Sequence, residues 1–380
     1  MMDDFNGYFD NAATSFPKPK EVGIETLKYL NEIGGPYGRS FYGKSLQVSR
    51  VVEYTRCMLG DFLGTDCADN IVFTLNATAA INTVVKGLDL DNKEILYSPL
   101  EHNAVMRPLV ELEKNKNVSL KKLASESDGC VDLKKLPDFI TDKTGLVIIS
   151  HQSNVNGVIQ PINEIKSIIG DVPILVDVAQ SAGHIDIKID ENGFDFVAVT
   201  GHKGLLGPTG TGCLYIKEPK KLKQFMEGGT GSKSESFDTP EYLPDRFEAG
   251  TPNIAGIFGL YGALLSKPEE CHSFIDFQIF LDDVKSIDGY KVYCANDLYR
   301  QGELFSISCS FTDISNLGLL LYEKYNIQTR VGLHCAPLAH KTINTYPNGT
   351  LRIAPSLYHS SDDFRFFVAA LIDIKEEFES

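Results

Sequence analysis

The fold is decided by Leu175-Val176-Asp177-Val178-Ala179-Gln180 and Phe196-Val197-Ala198-Val199-Thr200-Gly201-His202-Lys203, two apolar runs that lead into polar side chains. Short apolar runs without alternation are typical of strands covered on both faces, as in a parallel sheet between helices. Ligands of such sheets bind just beyond the carboxyl ends of the strands. We therefore expect Asp177 and Lys203 to lie near a ligand site.

Similar runs flank this stretch and alternate with helical patterns. They are Ile71-Val72-Phe73, Glu94-Ile95-Leu96-Tyr97, Leu146-Val147-Ile148-Ile149 and Gly212-Cys213-Leu214-Tyr215-Ile216. Apolar spacing also predicts helices over residues 22–30 and about 46–63. This alternation predicts an α/β fold with a largely parallel sheet.

The last third of the chain has a different pattern. Strand-like runs at Lys291-Val292-Tyr293 and Phe305-Ser306-Ile307-Ser308 precede a helix near residues 362–378, which indicates a smaller α+β domain. We divide the chain into an N-terminal arm (1–15) that belongs to the small domain and the active site, a large domain (16–262) and a small domain (263–380).

Composition restricts the class of function. The formal net charge of −15 repels nucleic-acid phosphates and anionic lipids, so we expect neither nucleic acid nor a membrane as a partner. No apolar stretch approaches the roughly 18 residues of a membrane-spanning helix, and the N-terminus does not look like a signal peptide. The 8 cysteines lack paired spacing. These features predict a cytoplasmic protein that acts on a small molecule.

Asp177 and Lys203 carry more information as a pair than singly. An aspartate after a strand is often only a helix cap, and a lysine there is usually solvated. A pyridine cofactor needs both groups, because the amine binds it covalently and the carboxylate keeps the ring nitrogen protonated.

Two other strand ends carry groups that suit such a cofactor. Thr74-Leu75-Asn76-Ala77-Thr78-Ala79 places small residues and a hydroxyl at a helix start, where free amides bind phosphate, although an ordinary threonine cap explains this motif too. Ser98-Pro99-Leu100-Glu101-His102-Asn103 offers an imidazole that can stack on a ring, although a lone histidine is more often structural.

The chain resembles the class V aminotransferase family, and within it the cysteine desulfurases, through ordered motifs along nearly its whole length. Besides the motif of His102, they are Tyr8-Phe9-Asp10-Asn11-Ala12-Ala13, Ser150-His151-Gln152-Ser153-Asn154-Val155-Asn156-Gly157, Val176-Asp177-Val178-Ala179-Gln180-Ser181-Ala182-Gly183, Thr200-Gly201-His202-Lys203, Phe247-Glu248-Ala249-Gly250-Thr251-Pro252-Asn253 and Arg330-Val331-Gly332-Leu333-His334-Cys335-Ala336. The resemblance implies the fold type I of pyridoxal-phosphate-dependent transferases, like aspartate aminotransferase, with a mostly parallel seven-stranded sheet and a smaller α+β domain.

The resemblance also implies a role for individual residues. Lys203, Cys335 and His102 would be catalytic. Contacts with the ring of pyridoxal 5'-phosphate would come from Lys203, Asp177, Gln180, His102 and Asn154. Its phosphate would be bound by Thr78, Ala79, Thr200, His202 and, from a neighbouring subunit, Thr251, which implies a homodimer with a shared active site. The substrate would be bound by Asn11, Ala12, Arg330 and Arg352, with Arg352 pairing with its α-carboxylate.

Cys335 is the candidate nucleophile. Its segment contains glycine and proline and has no apolar period, so we predict an exposed loop. Arg330 and His334 are potential cations beside the thiol, and a cation favours the thiolate that a nucleophile needs. A metal site of His334, Cys335 and His340 is the alternative, but this spacing lacks a fourth ligand, so we predict no metal.

The resemblance predicts that L-cysteine is converted to L-alanine and that its sulfur stays on Cys335 as a persulfide, for which an acceptor protein is a possible partner. The alternatives are selenocysteine lyase or another class V aminotransferase or lyase.

A Walker A pattern at Gly38-Arg39-Ser40-Phe41-Tyr42-Gly43-Lys44-Ser45 favours a nucleotide-binding protein, but a helix end precedes it where a strand is required. An inactive scaffold protein is a further alternative, but it would need none of Lys203, Asp177 and Cys335, so their presence together argues against it.

The sequence departs from the family pattern in two places. The helices that the family has before the strand near Val292 are shortened here, and His359-Ser360 stands where the family favours an Asn-Thr pair, so the choice of substrate can differ from that of the family.

Overall fold

A seven-stranded sheet forms the centre of the computed structural model, which describes residues 5–38 and 40–379. Its strands are β1 (Ile71–Thr74), β2 (Glu94–Tyr97), β3 (Ser119–Lys122), β4 (Thr144–Ser150), β5 (Ile174–Asp177), β6 (Phe196–Thr200) and β7 (Gly212–Ile216). Their order is β1-β7-β6-β5-β4-β2-β3, and β7 is antiparallel to β1 and β6 while the other neighbours are parallel. The predicted fold class is therefore confirmed.

Helices cover both faces of this sheet. The helices of the chain are α1 (Lys20–Lys28), continued by a π-helical turn (Tyr29–Ile33), α2 (Gly43–Leu63), α3 (Ala77–Gly87), α4 (Asn103–Asn115), α5 (Ile162–Ile169), α6 (Ile189–Asn192), α7 (Ile254–Leu265), α8 (Phe274–Ser286), α9 (Ile314–Tyr325), α10 (Pro337–Thr342) and α11 (Ser361–Glu379). Successive residues of β4 enter opposite cores, Ile149 on one face and Ile148 on the other. This explains the apolar runs without alternation.

A second, antiparallel sheet follows in the chain. Its strands are β8 (Tyr290–Tyr293), β9 (Phe305–Cys309), β10 (Arg330–Gly332) and β11 (Thr350–Ile353), in the order β10-β11-β9-β8. Phenylalanines of α8 and α11, among them Phe280 and Phe367, form its core together with Phe9. Single bridges join Tyr8 to Gln328 and Asp10 to Ala354, so the N-terminal residues are attached to this sheet.

The structure differs from the sequence-based expectations in two places. β3 was not predicted, because its burial is only partial and it has no apolar run. The segment of Cys335 is not a continuous loop, since Arg330 lies on β10 and α10 begins at Pro337. The Walker A segment, of which Arg39 lies outside the described residues, follows the helical turn Tyr29–Ile33 rather than a strand, as expected, and its residues Gly43 to Ser45 begin α2. None of the described helices is long and apolar enough to cross a membrane.

Candidate active site

An open cavity lies beyond the carboxyl ends of β4, β5 and β6 and contains most of the predicted site residues. Parallel register places Ser150 of β4 beside Asp177 of β5, so the strands end at one level. The predicted residues that line the cavity are Ala12, Thr78, His102, Asn154, Asp177, Gln180, Thr200, His202, Lys203, Arg330, Cys335 and Arg352. Three others, Asn11, Ala79 and Thr251, line neighbouring cavities instead.

Asp177 and Lys203 are the charged pair at the base of the cavity. Asp177 Oδ1 accepts a hydrogen bond of 2.9 Å from the amide of Ala179, and burial raises the pKa of this carboxyl while Lys203 opposes the rise. Burial lowers the pKa of Lys203 to about 8, with smaller contributions from Arg352 and Arg330, and Asp177 counteracts the decrease. An amine with this pKa is partly unprotonated near neutral pH, as a nucleophile or base must be.

His102 is held in one orientation by the helix that follows it. As N-cap of α4 it accepts a hydrogen bond of 3.0 Å at Nδ1 from the amide of Ala104, so Nε2 carries the proton. Burial, together with the positive charges of Lys203 and nearby arginines, lowers the pKa of His102 to about 4. The ring at the cavity wall is therefore a neutral imidazole.

One end of the cavity presents polar atoms without protein partners. Among the described residues, Thr200 Oγ1 and His202 Nδ1 are buried and lack a hydrogen-bond partner. Thr78 lies in the first turn of α3, where backbone N–H groups have no intrahelical acceptor. Asn76, not a threonine, caps this helix, and its side-chain oxygen accepts a hydrogen bond from the amide of Ala79. These donors and the helix start can bind an anion such as a phosphate.

The N-terminal residues close another side of the site. Gln180 Nε2 donates a hydrogen bond of 3.0 Å to the carbonyl of Ala12. Asn11 Nδ2 donates to the carbonyls of Tyr8 (2.8 Å) and Ala354 (3.0 Å). Its Oδ1 accepts a hydrogen bond of 3.0 Å from the amide of Phe16, and its backbone N–H donates to the carbonyl of Ala354 at 3.2 Å. The side chain of Asn11 is therefore held in place mainly by bonds within the protein.

Two arginines lie side by side on the wall that the antiparallel sheet contributes. Arg330 and Arg352 are direct partners of β10 and β11. Arg352 is 1% exposed and donates to Asn154 O (3.1 Å) and Asp10 Oδ1 (2.6 Å), while its buried Nε lacks a partner. A guanidinium with a spare donor facing a cavity is suited to bind a carboxylate.

Cys335 is exposed at the mouth of the cavity, and its Sγ lies 3.8 Å from Nη2 of Arg330. Its backbone is left-handed (φ +57°), as is that of His334 (φ +49°). Asn103 N donates to Cys335 O and Asn154 Nδ2 donates to His334 O, each at 2.8 Å. Because these bonds fix both strained residues, the thiol is presented at a defined position.

The expectation that His334 is a cation beside the thiol is wrong. Its Nε2 donates to the carbonyl of Thr350 at 3.0 Å, and burial lowers its pKa to about 2. The ring is neutral, so Arg330 is the positive neighbour of Cys335. Within residues 5–38 and 40–379, no group of three or more His, Cys, Asp and Glu residues is placed to hold a metal ion.

Thr251 and Ala79 line a separate, open and more apolar cavity. Thr251 itself is exposed, and so are the apolar side chains Leu75, Phe225 and Met226 that line the same cavity. Thr251 is thus not part of this chain's own active-site cavity.

Sequence reasoning assigned no role to two acidic residues of the site. Asp10 pairs with Arg352, and the fully buried Glu101 accepts hydrogen bonds from Ser98 Oγ (2.6 Å), Ser150 N (2.7 Å) and Ser150 Oγ (2.7 Å). Burial raises the pKa of Glu101 to about 7 against these hydrogen bonds. Both residues stand in quoted motifs, but Arg352 and Ser150 are distant from them in sequence, and only the fold brings these partners together.

Comparison with known proteins identifies relatives over almost the whole chain. The family model described as Aminotransferase class-V matches residues 7–367. A probable cysteine desulfurase of Methanothermobacter thermautotrophicus is 32% identical, with 97% of this chain and 94% of the relative covered. The apo structure of a cysteine desulfurase from Thermococcus onnurineus is similar with a TM-score of 0.87, 28% identity and coverage of 97% and 94%. The cysteine desulfurase CsdA from Escherichia coli has a TM-score of 0.87, 27% identity and coverage of 99% and 96%.

Proposed function

The chain belongs to the class V aminotransferase family, and from this membership and the geometry of the cavity we propose that it is a pyridoxal-phosphate-dependent cysteine desulfurase. The observation that carries the proposal is that one cavity contains Lys203, Asp177 and Cys335. The first two suit the cofactor, and the thiol suits transfer of sulfur. The relatives described above are cysteine desulfurases, which supports the same reaction.

The residues present fit the cofactor. The orphaned Thr200 Oγ1 and His202 Nδ1, together with the first turn of α3, are suited to its phosphate. When bound to Lys203, pyridoxal phosphate supplies an electron-withdrawing pyridinium that stabilises negative charge at the α-carbon of an amino acid. Asp177 would hold the proton on the ring nitrogen, His102 would lie against the ring, and Gln180 and Asn154 would contact its remaining polar edge.

Lys203 and Arg352 would prepare the substrate. Arg352 binds the α-carboxylate of L-cysteine with the donors that Asp10 and Asn154 leave free, and Arg330 adds positive charge beside it. Lys203 Nζ would remove the α-proton of the bound substrate. Its low pKa favours the unprotonated amine that this step requires.

Cys335 would then take the sulfur. Its thiolate, stabilised by Arg330, attacks the sulfur of the substrate, so that an S–S bond forms and the Cβ–S bond breaks. The electron pair of the broken bond stays with the carbon skeleton, which takes up one proton at Cβ and the α-proton returned by Lys203, and leaves as L-alanine. The persulfide on Cys335 lies at the mouth of the cavity, where a sulfur-acceptor protein can reach it.

The exposed thiol favours this reaction over the alternatives. Transamination and carbon–carbon cleavage have no use for an acceptor thiol. Selenocysteine is chemically similar to cysteine and suits the same site, but the relatives reported above are named as cysteine desulfurases. All 8 cysteines are free thiols, which supports the cytoplasmic location expected from the sequence.

We also propose a homodimer with a shared active site. The cavity that Thr251 lines has exposed Leu75, Phe225 and Met226, and such apolar surface is typical of a subunit interface. A second copy seated there by a two-fold axis would direct Thr251 of each subunit toward the cofactor phosphate of the other.

The test of the proposed reaction is the variant Cys335→Ser. It should keep the bound-cofactor absorbance, because the groups that hold the cofactor do not involve the thiol, and it should lose alanine formation from L-cysteine. Alanine is measured by amino-acid analysis. Full desulfuration by this variant would rule out Cys335 as the sulfur acceptor.

A further inference from the structure

A buried ion pair outside the catalytic cavity joins the Thr251 segment, residues 247–253, to the body of the large sheet. Arg56 of α2 is 2% exposed, and Glu248 is 9% exposed. Arg56 Nη1 donates to Glu248 Oε1 at 2.7 Å, and Nη2 donates to Oε2 at 3.3 Å. Such a two-point contact fixes direction as well as distance.

The pair also covers the free edge of β1, which is the outermost strand on that side of the sheet. Arg56 Nη1 donates to the carbonyl of Ile71 at 2.6 Å, and Glu248 Oε1 accepts from the amide of Phe73 at 2.7 Å. The guanidinium lies 4.6 Å from the ring centroid of Phe73. The two side chains thus satisfy a carbonyl and an amide of β1 that would otherwise be free to pair with a further strand.

Thr251 lies between this attachment and a second one. Gly250 N donates to Gly229 O at 2.8 Å, and Asn253 Nδ2 donates to Gly210 O at 3.0 Å while its Oδ1 caps α7 through Gly256 N. The segment is therefore fixed on both sides of an exposed threonine. Glu248 is its link to the sheet and to α2.

We propose that the Arg56–Glu248 pair is a positioning device that holds Thr251 where it completes the cofactor phosphate site of the partner subunit. This inference rests on the proposed cofactor and shared active site. Glu248 acts through Thr251 and touches neither cofactor nor substrate. Its loss should weaken binding of the phosphate group and leave binding of the pyridine ring unchanged.

The experiment compares binding of pyridoxal phosphate and of pyridoxal, which lacks the phosphate, to cofactor-free protein by equilibrium dialysis. Glu248→Gln keeps the shape and the amide contact but removes the charge, and it should raise Kd for pyridoxal phosphate by about tenfold while Kd for pyridoxal changes less than about twofold. Thr251→Val should give the same pattern. The double variant should be no weaker than either single variant, because both changes remove one interaction.

Glu53→Gln is the matched control. Glu53 accepts a hydrogen bond of 3.1 Å from Nε of the same Arg56, but it is 49% exposed and has no bond to the Thr251 segment. This variant should leave both dissociation constants unchanged. Should Glu248→Gln fail to fold by circular dichroism, Arg56→Lys, which keeps the charge and loses the two-point contact, is measured with the same expected result.

The outcomes separate the inference from the function on which it rests. If Thr251→Val leaves the affinity for pyridoxal phosphate unchanged, the shared phosphate site is wrong. If Thr251→Val weakens binding and Glu248→Gln does not, the positioning role is wrong. Equal losses for pyridoxal and pyridoxal phosphate, or losses that multiply in the double variant, also overturn the positioning role.

Discussion

Burial controls the charge of the side chains around the cavity. It lowers the pKa of His102 and His202 to about 4 and that of His334 to about 2, and it lowers the pKa of Lys203 to about 8. The positive charge beside the thiol therefore comes from Arg330. The sequence put His334 next to Cys335, but it did not reveal that the ring turns inward to Thr350.

The lowered pKa of Lys203 predicts how the rate of its acetylation depends on pH in the cofactor-free protein. Only the unprotonated amine reacts with acetylating reagents, so the rate at Lys203 should rise as pH increases through about 8. Exposed lysines of the same protein, followed by peptide mass spectrometry, serve as the internal reference. A midpoint for Lys203 that coincides with those of exposed lysines would contradict the role of burial.

Asp177 should matter through its charge rather than its shape. Asp177→Asn keeps an oxygen for the amide of Ala179 but removes the anion, which should raise the barrier by about 3 kcal/mol or more and lower kcat at least about a hundredfold. Steady-state alanine formation measures the change, with bound cofactor quantified in parallel. Turnover near that of the wild type would refute the assignment.

At the level of elements, apolar runs were sufficient to predict the strands that carry the site. β5 and β6 occur where they were expected, because both of their faces are buried. β3, partly exposed at a sheet edge, and β10, three residues long, have no such pattern. The pairing of Arg330 with Arg352 depends on β10 and was therefore not foreseen, although both residues were assigned to the site.

The end of β10 makes a close contact that tests this element. A Cβ on Gly349 (φ +78°) would lie 2.3 Å from the carbonyl oxygen of Gly332, whereas a Cβ on Gly332 (φ +103°) would meet nothing within 4 Å. Gly332→Ala should cost about 1 kcal/mol for backbone strain alone. Gly349→Ala should cost about 3 kcal/mol, because overpacking adds to the strain.

Chemical denaturation followed by circular dichroism gives both losses, and Gly332→Ala is the control for the left-handed backbone. Gly349→Ala should also lower desulfurase activity, since the contact supports the strand of Arg330. Equal stability of the two variants would mean that the close approach of Gly349 to the carbonyl oxygen of Gly332 does not affect the stability of the protein.

For the whole molecule, the site draws on distant parts of the chain. Asp10 pairs with Arg352 and Gln180 bonds to Ala12, so N-terminal residues, the large sheet and the antiparallel sheet meet at one cavity. Thr251 is absent from that cavity and lies at the exposed apolar one. A single chain therefore presents the proposed phosphate site without Thr251, which is the physical basis for proposing two chains.

Mixing two inactive variants tests the shared site. Lys203→Ala lacks the cofactor lysine, and Thr251→Glu places a negative charge against the phosphate. After subunit exchange, a mixed dimer contains one site with Lys203 from one subunit and Thr251 from the other, so activity should recover to about a quarter of the wild type in an equal mixture. No recovery, with exchange verified by mass spectrometry, would mean that Thr251 does not complete the partner's site.

Cys335 is proposed to accept sulfur from L-cysteine. The most direct test of this role is the mass of the peptide that contains Cys335 after the protein, loaded with pyridoxal phosphate, is incubated with L-cysteine without reductant. A gain of one sulfur atom that dithiothreitol removes, matched by an equal amount of alanine in the first turnover, is the predicted result. Alanine formation without this adduct, or the adduct on a different cysteine, would contradict the account.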